Sequence, residues 1–411
     1  MAAAPVVDPR DRAADAARGR ARFDSVAAST CPAPVPSEAQ QIKRLGFSPS
    51  VVIRIVASRS CEMYQPRFLR VDRQAELGET FSEYRVDSLG VSGTATGIDI
   101  ANSTGAASFT FADTTVSSSS TGVNLASSAT TSFTFADLDI TTTSGSGLFG
   151  NSAGTIATTG GTINATNGAA TDIQITALNL VSVSPISVNS TGDGLCFSQV
   201  TGTVDITGTT DIDNPTDQGI DISSSSAGFT FADVDIDNTG NAAITIKAVT
   251  GTVTFSGTSK TFTNTTGAGI ELDQNTGGTI TFSGGGLDID TTTGLAFNAS
   301  GGGTVNVTGA NNSITTTTGT VLAVVHTGIR TSGLTFRSIS VNGATNGIVL
   351  DTTGMSGGLT VTGDGGTAQN GSSGTIQNTT GDGINRESHS LHQCDNYRSG
   401  KPGSHRPSKT V

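Results

Sequence analysis

Residues 219–297 read GIDISSSSAGFTFADVDIDNTGNAAITIKAVTGTVTFSGTSKTFTNTTGAGIELDQNTGGTITFSGGGLDIDTTTGLAF, which is one unit written three times. Each copy opens with a short apolar alternation after a small residue: Gly219-Ile220-Asp221-Ile222, Ala243-Ile244-Thr245-Ile246 and Gly269-Ile270-Glu271-Leu272. A second alternation follows at Phe229-Thr230-Phe231, Val253-Thr254-Phe255 and Ile280-Thr281-Phe282. A third closes the unit at Ile236, Phe262 and Ile289. Mostly Gly, Ser, Thr, Asn and Asp lie between. Alternation over three to five residues is the period of a strand, and the intervening residues are those of turns.

Outward from this stretch, the second alternation can be followed from Phe109 through Phe133, Ile156, Val181, Val204, Phe229, Val253, Ile280, Val305 and Leu334 to Leu359, 250 residues over ten intervals. The small residue before the first alternation gives the same span, from Gly97 through Gly122, Gly147, Gly194, Gly219, Gly269 and Gly294 to Gly347. Two landmarks sharing a period of 25 define a repeat architecture. Three short strands per period fit one coil of an all-β parallel β-helix solenoid, with about eleven coils stacked ~4.8 Å apart. Inward residues then form columns, which puts Phe111 over Phe135 and joins Phe231, Phe255 and Phe282. An Asn recurs near the end of the unit at Asn189, Asn214, Asn238, Asn264, Asn342 and Asn378. Asn tolerates a left-handed bend, so these six are expected to form a ladder of stacked amides.

The 25-residue coil, the inward columns and the Asn ladder resemble the right-handed parallel β-helix of the pectate-lyase-like superfamily. The Thr/Gly/Ser/Asn-rich wording is similar to the passenger repeats of large bacterial surface proteins, including autotransporter adhesins. The resemblance covers residues 91–385. It implies an extracellular or cell-surface location and a structural or adhesive role, with a glycan or cell-surface ligand as partner. Enzymes of the superfamily imply an alternative, a polysaccharide lyase or hydrolase acting on acidic glycans. Its lyases use basic residues with calcium beside a carboxylate, and its hydrolases use clustered Asp.

Composition sharpens the boundaries. Residues 91–385 hold four basic residues (Lys247, Lys260, Arg330, Arg337) against 21 acidic ones, a net −17 within a chain of −12. So acidic a surface excludes nucleic acid, which needs a basic footprint. No apolar run is long enough to span a membrane. The four Cys (31, 61, 196, 394) show no CxxC spacing and no disulfide framework. Cys196 falls at the outward position of Leu195-Cys196-Phe197.

The two ends read differently. Residues 1–90 hold 13 of the 22 Lys/Arg and seven of the 11 Pro; they read as irregular or disordered, with one helix after Asp8-Pro9 and one strand at Val51–Val56. No signal-peptide pattern is present. Residues 386–411 carry five basic residues and three of the four His, and read as a disordered tail. The period is lost at both ends, which suggests that the end segments are foreign to the repeat. The open ends of such a stack invite end-to-end self-association.

Three sets of residues are candidates for chemistry. His326 and Asp351 lie 25 residues apart, one period, with Arg330 close by. They are expected to stack about 5 Å apart and are the catalytic candidates for the enzyme reading; a surface ion pair is the simpler one. Asp233, Asp235 and Asp237 offer hard oxygen donors for a weak Ca²⁺ site, but two-residue spacing on a strand spreads them, and a solvated acidic face accounts for them as well. No other cofactor is expected. Gly145–Gly150 matches GxGxxG and Gly150–Gly154 matches GxSxG; neither is followed by the helix its chemistry needs.

Overall fold

The structure is a computed structural model and describes residues 52–55, 83–103, 106–264, 267–366 and 370–387. The expected N-terminal helix and nearly all of the basic tail lie outside the described residues. Within them every regular element is a strand. Three strands recur in each coil, the first coil comprising Ile98–Ala101 and both halves of Ser108–Ser118. Eleven such coils follow one another, and the first strands of coils one and eleven begin at Ile98 and Ile348, an average of 25 residues per coil. Successive coils pair in parallel throughout; Ile220–Ser223 sits between Leu195–Ser198 and Ile244–Lys247. At ~4.8 Å per coil the stack is roughly 50 Å long.

Alternation decides what fills it. First strands follow a buried/half-buried repeat, as in Ile220–Ser223, and second strands the complementary one, as in Gly228–Phe231. The inward residues form one continuous core from Val86 to Ile376. Phe111 stacks on Phe135 at 4.8 Å, Phe231 on Phe255 at 5.0 Å and Phe255 on Phe282 at 4.8 Å, all nearly parallel. Ile236, Phe262 and Ile289 share one register among the third strands of their coils. Each buried ring contributes about 1.5–3 kcal/mol of apolar burial.

The small residue that opens each first strand has a steric cause. A Cβ on Gly219 would lie 2.5 Å from Ile236 Cγ2 and 2.6 Å from the carbonyl oxygen of Ala243. The chain bends here so tightly that coil above and side chain across both claim the space.

Several landmarks shift in detail. Phe135 leads through Thr158 and Leu180 to Val204 and Phe229, so the inward residue of that coil is Leu180. Val181 faces outward, and the Phe109 and Phe229 landmarks occupy neighbouring columns. The counterpart of Gly269 is Ala296, because Ile270 pairs with Phe297; Gly294 sits in the preceding turn. Val305 pairs with Ile329 and Val307 with Leu334, so four residues, Arg330 to Gly333, bulge out of the ladder.

The solenoid also reaches beyond Val91, where the period first becomes legible. Glu83–Gly93 already pairs in parallel with Ser108–Ser118. The strand read near Val51–Val56 is present as Val52–Ile55, and it pairs antiparallel with Ile98–Ala101 at the edge of the first sheet. No helix among the described residues is long and apolar enough to cross a membrane.

Candidate functional site

The candidates from sequence do not assemble into a site. His326 and Asp351 do meet on adjacent coils, but through the backbone: His326 N donates to Asp351 O at 3.0 Å. The pairing partner of Asp351 is Val325. His326 itself lies one residue on, exposed, in a left-handed corner with φ of 52°. The Asp351 carboxylate accepts from Thr352 Oγ1 at 2.8 Å, and no ion pair joins it to His326. Arg330 is exposed on the bulge. Strand direction therefore aims these three side chains apart.

Asp233, Asp235 and Asp237 also stay spread. Asp235 and Asp237 lie on Val234–Asp237, whereas Asp233 precedes it and accepts the backbone N–H of Ser259 at 2.9 Å. Register places Asp211 beside Asp235 and Asp213 beside Asp237 on the neighbouring coil. Burial and the neighbouring carboxylates hold Asp211 and Asp235 above the usual carboxylate range.

Of the six Asn, four (Asn189, Asn214, Asn238 and Asn378) adopt left-handed φ between 48° and 56°. Asn214 Nδ2 donates to Asn189 Oδ1 at 3.0 Å and Asn378 Nδ2 to Asn342 Oδ1 at 2.7 Å. Asn342 is the last residue of Ser338–Asn342, and the bend falls on Gly343 (φ 105°). Asn264 closes the strand Lys260–Asn264, and its side chain is outside the description. Among the described side chains the ladder thus shows two exposed pairs.

A different constellation comes together on the outer face of the first sheet. Asp172, Cys196 and Asp221 occupy the same outward position on three successive strands, Thr171–Gln174, Leu195–Ser198 and Ile220–Ser223. The turn before the second of these strands adds Asp193, and the next turn Asp217. Donor atoms of Asp193, Cys196 and Asp221 all lie within 4.8 Å of one another, the one such group of His, Cys and acidic side chains among the described residues. Beside them runs an open groove of about 360 Å³ whose floor includes Ser146, Asp172, Gln174, Asp193 and Cys196.

Its electrostatics follow from the missing cations. Burial, then the charges of Asp193 and Asp217, raise Asp221 to about 6. Burial also raises Asp193, although the backbone N–H of Gln218, at 3.1 Å from its Oδ1, opposes this. With the amide nitrogen facing the acids, Gln218 donates to Asp193 Oδ1 at 2.6 Å and Asp217 Oδ1 at 2.8 Å. Burial and three surrounding carboxylates push the Cys196 thiol up and keep it protonated. Two carboxyls that take up protons easily, close together beside a groove, can donate and accept protons or hydrogen-bond a polyhydroxylated ligand. No pairwise motif announces this group; the signal is one acidic or thiol residue per coil at the same outward position.

Comparison of the chain with protein-family models, with curated proteins and with solved structures yields no match.

Proposed function

We propose that the chain is a non-enzymatic structural or adhesive segment of an exported bacterial surface protein, a rod that presents a repeated polar surface to a glycan or another cell. The observation that carries this reading is the regularity of the outer faces. Apart from the bulge at Arg330 to Gly333, the eleven coils keep register, so outward residues repeat in columns such as Asp211/Asp235 and Asp213/Asp237. Turns are short almost everywhere, which leaves few walls from which a closed reaction chamber could be built. A fixed array at ~4.8 Å spacing suits many weak contacts with a repetitive ligand, where effective concentration multiplies affinity. Extracellular placement belongs to the same reading. The test is binding of the purified chain to a glycan array and to intact cells, with product analysis in parallel. Retention without turnover supports it; no retention on any surface overturns it.

The carboxylate groove favours a second reading, a polysaccharide hydrolase. Asp221, raised to about 6, would serve as general acid under mildly acidic conditions and Asp193 as its partner. Uncompensated carboxylates repel an acidic chain, so the substrate of this reading is a neutral or amine-bearing glycan rather than an acidic one. His326, Arg330 and Asp351 have no part in it. Release of reducing ends that disappears in Asp221→Asn supports hydrolysis; release that persists in that variant removes the assignment.

A further inference from the structure

The corner between the second and third strands differs from coil to coil. In the sixth coil two residues, Ala232 and Asp233, join Phe231 to Val234. The seventh coil uses four, Ser256 to Ser259, and the eighth also four, Ser283 to Gly286. The ninth uses five, Thr308 to Asn312. Each added residue brings a backbone carbonyl that must find a donor. In the eighth coil Gly284, Gly285 and Gly286 all take left-handed φ, between 65° and 80°.

Lys260 is the one charged side chain that is buried among the described residues. It stands in an inward column, between Val234 and Leu287. A charge is expelled from such a place unless it is fully partnered. Its Nζ donates to the carbonyl oxygens of Gly257, of Ser283 at 2.9 Å and of Gly285 at 2.6 Å. None of these three oxygens accepts a backbone N–H among the described residues. An ammonium has three donors and no acceptor, so the two sides match in number. Asp233, on the coil before, adds the attraction of its carboxylate.

The ninth coil meets the same demand with another side chain. Asn312 is buried, and its Nδ2 donates to the carbonyl oxygens of Gly309 at 3.1 Å and Thr335 at 2.9 Å, with Thr308 further off at 3.4 Å. Gly309 lies three residues back and Thr335 23 on, the same offsets that relate Gly257 and Ser283 to Lys260. Long corners therefore gather carbonyls at one place in the wall. Asn312 Oδ1 also accepts the N–H of Leu287 at 3.0 Å, so that place needs a group that both donates and accepts. The place held by Lys260 presents acceptors alone.

We propose that the oxygens of Gly257, Ser283 and Gly285 form a cation site that the chain fills with its own ammonium, and that a small monovalent cation (ammonium, methylammonium or potassium) takes the place when the Lys260 side chain is cut back. Neutral carbonyls that replace a hydration shell suit a monovalent ion, whereas a divalent ion asks for six or more oxygens, carboxylates among them. The bound cation ties the corner of the seventh coil to that of the eighth. It has no part in the outer faces, so the inference holds whether the rod is adhesive or hydrolytic.

The experiment melts the full chain carrying Lys260→Ala in choline chloride and in ammonium, methylammonium or potassium chloride at equal ionic strength. Choline is too bulky for the site and has no N–H to donate. In choline the variant should melt below the unaltered chain. The small cations should return part of the loss, and the return should grow with concentration as for a ligand of the folded state. If the variant folds only with a small cation present, circular dichroism reads the same return as regained strand signal. The unaltered chain and Lys260→Met, whose side chains fill the space, should melt alike in every salt, as should Asn312→Ala, which has lost an acceptor that no cation replaces. A Lys260→Ala chain that behaves alike in choline and in all three small cations, folded or unfolded, overturns the inference. An equal response from any of the three controls marks a general salt effect and overturns it too.

Discussion

Replacing Phe255 with Ala tests whether stacked columns hold this solenoid together. The ring is fully buried and lies between two others, Phe231 at 5.0 Å and 11° and Phe282 at 4.8 Å and 5°. Loss of a buried Phe costs about 3–5 kcal/mol, and the cost depends on how far the surroundings collapse into the gap. Collapse is restricted here, because Thr252–Phe255 is hydrogen-bonded to a coil on each side. Each aromatic pair adds about 0.5–1.5 kcal/mol beyond its area. Phe255→Ala should therefore fall near 5 kcal/mol. Phe111 provides the control: it stacks on one ring, Phe135, and its other neighbour is Val86 in the edge strand. With one ring partner instead of two, Phe111→Ala should cost about 3 kcal/mol. Urea unfolding of both variants measures the difference, with an unchanged slope as evidence that the transition is the same. Hydrogen exchange should localise the loss to Gly228–Phe231, Thr252–Phe255 and Thr279–Phe282, because a coil touches only its neighbours. Equal costs for the two variants, or a cost under about 1 kcal/mol for Phe255→Ala, would refute the column argument.

Gly219→Val should lower the thermal midpoint by an amount equivalent to at least 1–3 kcal/mol, since its Cβ already meets Ile236 and the Ala243 carbonyl below 3 Å; a midpoint equal to the unaltered chain's would contradict the crowding. Asn214→Ala should change stability by less than about 0.5 kcal/mol, as for an exposed surface contact, whereas Ser225→Ala should cost about 1–2 kcal/mol because it strands the buried N–H of Val200; chemical unfolding of the pair checks the order. Lys260→Met should flatten the pH dependence of stability on the alkaline side. Burial lowers the Lys260 pKa from 10.5, so between its folded value and 10.5 the unfolded chain binds more protons and stability rises with pH; parallel profiles for the two proteins would remove Lys260 as the source.

The architecture was legible because it is periodic. Phe231, Phe255 and Phe282 announce their column by spacing alone, and Ile236, Phe262 and Ile289 do the same. Where an insertion or a change of phase intervenes, spacing misleads. Val181 looks like the counterpart of Val204 until register shows that Leu180 fills that place, and Arg330 is drawn out of line by the bulge. A period of 25 brought His326 and Asp351 to adjacent coils, but a corner residue and a strand residue do not aim the same way. Lys260 could not be read at all: it occupies the column of Val234 and Leu287, and its Nζ donates to the carbonyls of Gly257, of Ser283 at 2.9 Å and of Gly285 at 2.6 Å. Nothing in the sequence marks three turn carbonyls as waiting for a donor.

The corners explain why the Asn ladder is so small a part of the stability. The bend that every coil must make follows the first strand, where left-handed φ recurs at Asn102, Ser127, Ser152, Ile175, Gln199, Ser224, Ala248, Gln274, Gly301, His326 and Thr352. So varied a set, with Ile among it, means that the conformation is imposed by the coils rather than chosen by the residue. One residue further on, inside the wall, side chains cap buried N–H groups at several of these corners. Ser128 Oγ accepts the N–H of Ser103 at 3.1 Å, Thr176 Oγ1 that of Ala153 at 3.3 Å, Ser225 Oγ that of Val200 at 3.1 Å and Asn275 Oδ1 that of Val249 at 2.9 Å. Each of these side chains also donates to a carbonyl of its own or the preceding coil. The capping residues fall in the second, fourth, sixth and eighth coils, so over that stretch the structural repeat at the corner is two coils long although the strands repeat every one. A buried N–H left unpaired costs about 1–3 kcal/mol, and each cap removes one such loss with a single small polar side chain. The exposed Asn pairs compete with water for the same bonds and gain far less. The corners of the rod therefore draw more stability from Ser128, Thr176, Ser225 and Asn275 than from the exposed Asn pairs.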